Sequence, residues 1–207
     1  MEENKANDKR DDILDVAEKL FAEQGFEAVS VREISKAADI NIAMISYYFG
    51  SKEKLYEEVI SRKLTPTQMI LQQISLVGTS KEKLFAIVDL FVSRFFDNRQ
   101  FQNLIFREMA LSKRKEMPEF ITQKMHQNFS IIFDIINKGI KNKEFKKVDV
   151  ELTVMSIVGI VKTYSTSGSM ACKILKTDNE EDVFDIKNRN RLKKFMRELL
   201  TSHLDIK

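Results

Sequence analysis

The chain has 207 residues, of which 43% are apolar and 31% charged, with 6 Gly and 2 Pro; this composition favours long helices over a turn-rich β protein. A single cysteine excludes an intramolecular disulfide framework and fits a reducing compartment. Because residues 1–12 are almost wholly polar and the longest apolar run is too short for a bilayer, we expect no signal peptide and no membrane-spanning helix. The sequence therefore predicts an all-α, cytoplasmic protein.

The charge is divided unevenly along the chain. Residues 1–60 have 8 Lys/Arg and 14 Asp/Glu, whereas residues 61–207 have 26 and 17. A negative N-terminal segment weighs against DNA binding, because phosphate neutralisation supplies most of non-specific DNA affinity. The placement of the charges is more favourable, since Glu53 is the only acidic residue between Ile40 and Lys54.

Apolar spacing predicts the first helix. Residues 1–9 are mostly polar and are expected to form a disordered arm. From Ile13 to Phe21 the apolar residues recur at helical spacing, and Gly25 supplies the stop expected just past a helix end.

Two short helices separated by a tight break follow. Ser30 and Glu33 form an S-x-x-E capping box, which predicts a helix from there to about Ala38. Asn41 is a good N-cap for a further helix over residues 42–48. A short helix supported by another across such a break is the arrangement of a helix-turn-helix, whose second helix enters the major groove of DNA.

The apolar residues of these two helices predict which faces are buried. With Ile34, Ile45 and Phe49 facing inward, helical spacing turns the opposite side of the third helix outward. Asp39 stands in the turn, where a left-handed conformation is needed, and aspartate tolerates that conformation better than most residues. The side chains predicted to face outward are Ile42, Ala43, Ser46 and Tyr47.

The remaining elements are predicted from caps, breaks and apolar spacing. Ser51 is expected to cap a fourth helix that runs to about Lys63, and Pro66 to open a further helix in its first turn. An acidic loop is predicted from Thr177 to Asp185. Further helices are predicted near residues 80–97, 98–112, 118–142, 149–172 and 187–204.

Residues 13–60 resemble the DNA-binding region of the TetR/AcrR family of bacterial transcriptional regulators. The matching segments are ILDVAEKLFAEQGFEAVSV, REISKAADI and ISYYFGSKEKLYEEVI. The resemblance implies nine or ten helices, beginning with a three-helix helix-turn-helix DNA-binding domain over residues 10–50. A linking helix over residues 51–64 and a larger C-terminal helical bundle over residues 65–207, for effector binding and dimerisation, would follow.

The resemblance also assigns candidate DNA contacts residue by residue. Ser30 matches the family's capping, phosphate-contacting residue, and Arg32 falls where some members contact a base. The chain departs from the family pattern at Asp39, where many members have glycine, and at Ser46, where many have tyrosine. Positions on the recognition helix are Asn41, Ile42, Ala43, Met44 and Ser46, and those that resemble the phosphate clamp are Tyr47, Tyr48 and Lys52.

Ordinary packing is the competing explanation for this segment. A small three-helix bundle without a DNA contact is one alternative, and Tyr48 and Phe49 fit core positions on spacing alone. The three apolar residues at the start of the recognition helix offer no hydrogen bonds. Direct readout would therefore rest on Arg32, Asn41, Ser46 and contacts with thymine methyl groups.

The larger domain is rich in phenylalanine and methionine, which the resemblance assigns to a cavity for a small apolar effector. A plain hydrophobic core explains most of these residues as well. Arg107 and Glu108 are candidate polar contacts for the effector, although an exposed ion pair between them is an alternative. The candidate pocket residues are Phe91, Phe95, Phe106, Arg107, Met109 and Phe129.

The last long helices suggest association between two copies of the chain. The final helix has a wide apolar stripe, and residues 150–161 are apolar on nearly every side. The resemblance assigns such helices to a four-helix bundle shared by two protomers, whereas core packing within one chain is the alternative. The candidate interface residues are Val154, Val158, Val161, Leu192, Phe195, Met196, Leu199 and Leu200.

These features predict a dimeric, ligand-responsive transcriptional regulator, most simply a repressor that binds a palindromic operator in double-stranded DNA and is released by its effector. No catalytic residue, metal site or cofactor is predicted, because His126, His203 and Cys172 lack the spacing or the neighbours of such sites. One alternative is a DNA-binding protein of the same fold that responds to a protein partner or organises the nucleoid. The other is a helical carrier of lipids or acyl groups with no role on DNA.

Overall fold

The computed structural model describes residues 2–111, 116–166 and 168–205, and the secondary structure within these ranges is helical without a β-strand. This confirms the predicted all-α class. No helix in these ranges combines the length and the hydropathy that a membrane crossing requires. The helices are α1 (Glu2–Gln24), α2 (Val31–Ala37), α3 (Ile42–Phe49), α4 (Lys52–Leu76), α5 (Ser80–Asp97), α6 (Arg99–Leu111), α7 (Glu116–Lys141), α8 (Val150–Thr166), α9 (Gly168–Leu175), α10 (Glu180–Val183) and α11 (Ile186–Leu204).

Helix α1 begins at Glu2, so its backbone is helical over most of the arm that we predicted to be disordered. The composition of the segment favours a helix there, because lysine, glutamate and alanine are good helix formers.

Helix α4 passes through Pro66, where the sequence predicts the start of a separate helix, and that prediction is wrong. A proline removes one backbone hydrogen bond from a helix interior. Ile60 and Leu71, about three turns apart on α4, are both fully buried. Their packing on either side of Pro66 explains why one missing bond does not end the helix.

The segment after α8 also differs from its prediction. The single helix expected over residues 149–172 is two helices, because α9 starts afresh at Gly168. The carboxylate of Glu180 lies so close to Gly168 that a Cβ at that position would collide with it. The predicted acidic loop contains the one-turn helix α10, whose N-cap Asn179 accepts a hydrogen bond from the backbone N–H of Asp182 at 3.0 Å.

The described residues form two compact units. The first comprises the described parts of Met1–Pro66 and Gln100–Met125, and the second those of Thr67–Arg99 and His126–Lys207. The predicted boundary near residue 65 lies close to this division. However, α6 and the first turns of α7, which the sequence pattern places in the larger domain, belong to the first unit.

The core of the first unit explains why α6 belongs to it. Phe21, Phe26 and Tyr56 pack ring against ring, with centroids 4.8–5.5 Å apart. Phe101 and Ile105 of α6 are buried in the same apolar cluster. The burial of these aromatic side chains joins α6 to the N-terminal helices.

Ion pairs between α1 and α4 offset the acidic excess of the N-terminal segment. Arg62 contacts the carboxylates of Asp15 and Glu18, and the Nζ atom of Lys63 lies 2.9 Å from Glu18. Burial acts to lower the pKa of Arg62, but its hydrogen bonds to these carboxylates raise it above its ordinary value. Because Arg62 and Lys63 come after residue 60 in the sequence, a net charge counted over residues 1–60 overstates the negative charge of the N-terminal helices.

The second unit is built around α5, which packs against α8 and α11. An ion pair between Asp89 and Arg197 joins α5 to α11. On α8, the hydroxyl of Tyr164 donates to the carbonyl oxygen of Val183 at 3.1 Å, and its ring lies 5.5 Å from that of Phe96. Burial raises the pKa of Tyr164 to about 12.

Candidate DNA-binding site

Helix α2 is fixed at its start by the predicted capping box. The Oγ atom of Ser30 accepts from the backbone N–H of Glu33 at 3.2 Å, and the carboxylate of Glu33 accepts from the backbone N–H of Ser30 at 2.7 Å. The hydrogen bond from the Ser30 backbone lowers the pKa of Glu33. This acidic side chain is therefore engaged at the helix end.

The turn between α2 and α3 has the conformation that the sequence predicts. Asp39 has a φ of 51°, in the left-handed region, and the N–H of Ile40 donates to the carbonyl oxygen of Ser35 at 3.0 Å. The side chain of Asn41 accepts from the backbone N–H of Ala43 at 2.9 Å and so caps α3. These bonds set the angle at which α3 leaves α2.

Helix α3 buries one side and exposes the other. Ile45 and Phe49 lie in the same core cluster as Ile34 of α2. On the opposite side Ile42 is 43% exposed and Tyr47 is 83% exposed. Ala43 and Ser46 are exposed with them, as predicted, and Met44 and Tyr48 are half-buried at the edges of this face.

The start of α4 adds a lysine beside this face. Gly50 ends α3 with a φ of 78°, and the Oγ atom of Ser51 accepts from the backbone N–H of Lys54 at 3.2 Å. The Nζ atom of Lys52 lies 4.1 Å from the ring centroid of Phe26, at cation–π distance. The predicted phosphate-clamp lysine therefore has its side chain held against the core of the first unit.

Helix α2 contributes exposed positive charge. Arg32 and Lys36 are exposed and make no ion pair within 4.0 Å among the residues that the structure describes. They are one turn apart and therefore lie on one face of α2. Lys36 was not among the predicted contacts, and its exposure on the same face as Arg32 makes it a further candidate.

Arg107 lies at the end of α1. Its guanidinium donates to the carbonyl oxygen of Phe21 at 3.2 Å, an atom that also accepts from the backbone N–H of Gly25 at 2.8 Å. Gly25 has a φ of 87°, and a Cβ there would lie 3.1 Å from the guanidinium. A positive charge at the carboxyl end of a helix also complements the helix dipole. This contact gives Arg107 a structural role in the first unit.

The other predicted pocket residues are divided between the two units. Phe106 is buried and Met109 is exposed in the first unit. In the second unit Phe91 is buried, while Phe95 and Phe129 are half-buried against the same core. Three of the six predicted pocket residues, Phe91, Phe95 and Phe129, therefore share one apolar cluster within the second unit.

The predicted interface residues differ sharply in burial. Phe195 is 51% exposed and Leu199 is 40% exposed on α11, and Val158 is half-buried. The other five are buried in the core of their own chain and offer no surface to a partner; they are Val154, Val161, Leu192, Met196 and Leu200. The sequence did not single out Leu152 and Met155, which are exposed on α8.

Two protein-family models match the chain. The model for bacterial regulatory proteins of the tetR family matches residues 13–59, and the model for the tetracyclin repressor-like C-terminal domain matches residues 77–166. The first match covers the capping box, the turn and the exposed face of α3.

Curated relatives and solved structures agree with these matches. The probable HTH-type transcriptional regulator YttP of Bacillus subtilis is 33% identical over 141 residues, which cover 66% of this chain and 67% of that protein. The HTH-type transcriptional repressor KstR2 of Mycolicibacterium smegmatis is 28% identical over 149 residues, covering 70% and 71%. The regulator FadR from Bacillus subtilis, solved in complex with stearoyl-CoA, has the same fold, with a TM-score of 0.74 and 22% identity over 93% of this chain and 97% of that one. The chain therefore belongs to the tetR family of bacterial regulatory proteins.

Proposed function

We propose that this protein is a dimeric transcriptional repressor that binds a palindromic operator through α3 and leaves it when a small apolar effector binds. The observation that supports this best is the outward face of α3, where Ile42, Ser46 and Tyr47 are exposed while Ile45 and Phe49 anchor the helix. A helix presented in this way enters the major groove with its N-terminal residues at the base edges.

The exposed residues divide into two kinds of DNA contact. Arg32, Asn41 and Ser46 have hydrogen-bonding side chains and would contact base edges. Tyr47 and Lys52 would contact phosphates, which fix the position of the helix without reading sequence. The apolar side chains at the start of α3 suit the methyl groups of thymine.

Dimerisation is proposed through α8 and α11. The exposed apolar side chains of Leu152 and Met155 on α8 and of Phe195 and Leu199 on α11 are the surface that a second copy would cover. Two recognition helices about one turn of DNA apart, ~34 Å, would then contact the two halves of the operator.

The effector is proposed to bind in the helical C-terminal part of the chain, beside the phenylalanines of α5 and α7. FadR from Bacillus subtilis was solved with stearoyl-CoA, so long-chain acyl thioesters are the first compounds to test. An effector that binds better to a state with a different spacing of the recognition helices lowers operator affinity, with a typical coupling of about 1–3 kcal/mol. The protein would act in the cytoplasm, without catalysis.

Operator binding tests the proposal directly. Operators would be identified by mapping binding sites on the native chromosome and confirmed by fluorescence anisotropy with short duplexes. Lys52→Met should weaken binding to every duplex and reduce the salt slope by about one. Arg32→Ala and Ser46→Ala should mainly relax sequence preference.

A matched control separates a local phosphate contact from a general change in charge. Lys147 is an exposed lysine of the second unit, and Lys147→Met removes the same charge as Lys52→Met. The control should bind the operator as the wild type does. If the wild-type protein binds no duplex at low salt, or if both methionine variants behave alike, the proposed function is wrong.

A further inference from the structure

Helix α7 buries one polar side chain among apolar ones. Asn128 is 6% exposed, and no donor among the described residues lies within hydrogen-bond distance of its buried Oδ1 atom. One turn further along, Ile132 is fully buried on the same face of the helix. The amide of Asn128 is thus the polar group on an otherwise apolar stretch of the core.

Four other buried polar side chains among the described residues do form hydrogen bonds. Ser35, Ser80, Thr153 and Asn188 each donate to a carbonyl or carboxylate oxygen at 2.6–3.0 Å. Burying an amide oxygen without a donor destabilises a fold, and native proteins leave very few such atoms. Asparagine is also a poor residue for a helix interior. Asn128 therefore lowers the stability of the fold, and such a loss of stability is common for residues of binding sites.

Phenylalanines of the second unit lie on α5 and on α7, the helix that contains Asn128. Phe129 follows it in the sequence, and Phe91 and Phe95 of α5 belong to the same apolar cluster as Phe129. Phe95 and Phe129 are half-buried, so part of their apolar surface remains accessible beside the core. A site of apolar walls with one placed polar atom is the usual composition of a small-molecule pocket.

We propose that Asn128 binds the effector by accepting a hydrogen bond from it, so that the effector is a mainly apolar molecule carrying an N–H or O–H donor. This inference rests on the proposed function and adds the polarity of the ligand to it. A carboxamide oxygen only accepts, so the unpaired Oδ1 selects a donor. A ligand that lacks the donor leaves the oxygen unpaired and is rejected.

Two probes that differ only in this donor test the proposal. Dodecanamide has an alkyl chain and an amide N–H, whereas N,N-dimethyldodecanamide has the same chain and carbonyl without an N–H. Isothermal titration calorimetry with the purified full-length protein should show about tenfold tighter binding of dodecanamide. In Asn128→Leu the two probes should bind about equally, with the affinity for the dimethyl probe retained.

A control variant and a stability measurement exclude a merely structural role. Asn137 lies on the same helix but is exposed, so Asn137→Leu should keep the tenfold preference. Asn128→Leu should also raise the Tm of the ligand-free protein, because a leucine leaves no unpaired oxygen in the core. A fall in Tm together with loss of both probes would mean that Asn128 supports the fold, and would overturn the proposal.

The remaining outcomes also decide the question. Equal binding of the two probes by the wild type, binding of neither, or an unchanged preference in Asn128→Leu each refutes the role of Asn128. Operator binding by the same variants is measured in parallel. If the wild type binds its operator while the probe experiment fails, the inference about Asn128 is wrong and the repressor function stands.

Discussion

Two capping boxes of matching geometry allow the effect of an N-cap on stability to be distinguished from its effect on DNA binding. At the start of α2, the two hydrogen bonds between Ser30 and Glu33 measure 3.2 and 2.7 Å. At the start of α5, the corresponding bonds between Thr79 and Glu82 measure 3.2 and 2.8 Å. Replacing the hydroxyl residue of either box by alanine removes the side-chain cap of an exposed helix start, and at Thr79 it also removes a hydrogen bond from the hydroxyl to the carboxylate of Glu82 at 3.0 Å.

The expected stability losses are therefore similar. Ser30→Ala and Thr79→Ala should each lower the free energy of unfolding by about 1 kcal/mol, the usual contribution of an N-cap hydroxyl. For a chain of this size the melting temperature falls by roughly 2–4 °C. Only Ser30 is a candidate phosphate contact. Loss of a further ~1 kcal/mol at that contact corresponds to about fivefold weaker operator binding, and Thr79→Ala should leave operator affinity unchanged.

Urea unfolding and fluorescence anisotropy at two salt concentrations measure the two quantities independently. The reasoning is refuted if Thr79→Ala weakens operator binding as much as Ser30→Ala does, because the effect would then follow from destabilisation alone. It is also refuted if Ser30→Ala loses stability without any change in operator affinity, because Ser30 would then be a cap and not a DNA contact.

Three further predictions follow from other contacts. The stability of Glu33→Gln should be less sensitive to acid than that of the wild type, because the hydrogen bond from the Ser30 backbone lowers the pKa of Glu33 in the wild type. Its contribution to stability is complete above the ordinary pKa of 4.5 and is lost as pH falls through the lower folded value. The urea midpoints of the two proteins should therefore converge as pH falls below 4.5. Arg107→Met should lower the free energy of unfolding by about 1.5–3 kcal/mol, because a charged donor to the carboxyl end of α1 is lost. The response to the effector should persist. Loss of that response at unchanged stability would indicate that Arg107 contacts the effector. Phe195→Glu should convert the dimer to a monomer in light scattering, whereas Leu76→Glu, at an even more exposed apolar position, should remain a dimer. Equal behaviour of the two variants would contradict the proposed interface.

The helix-turn-helix could be predicted because its determinants are local. The caps made by Ser30 and Asn41 involve atoms no more than three residues apart in the sequence. The left-handed turn at Asp39 is likewise a property of one residue and its neighbours. Short-range hydrogen bonds of this kind leave a sequence pattern, and the exposed face of α3 follows from it by helical geometry.

The contacts of α11 and α6 could not be predicted in the same way. On α11 the apolar stripe includes Met196, which is buried, and Phe195 beside it, which is exposed. Periodicity shows that such residues share a stripe but does not show which part of it the same chain covers. The hydrogen bond from Arg107 to Phe21 joins residues 86 positions apart. No local pattern distinguishes an arginine that caps a distant helix from one that binds a ligand.

The first unit has a consequence for protein engineering, because it is assembled from two separate stretches of the chain. A fragment cut at Pro66 would leave Phe21, Phe26 and Tyr56 without the side chains of Phe101 and Ile105. The aromatic side chains exposed in this way would promote aggregation. Hybrid sensors that graft the operator specificity of this protein onto a foreign ligand-binding domain should therefore transplant α6 and the first turns of α7 together with the N-terminal helices.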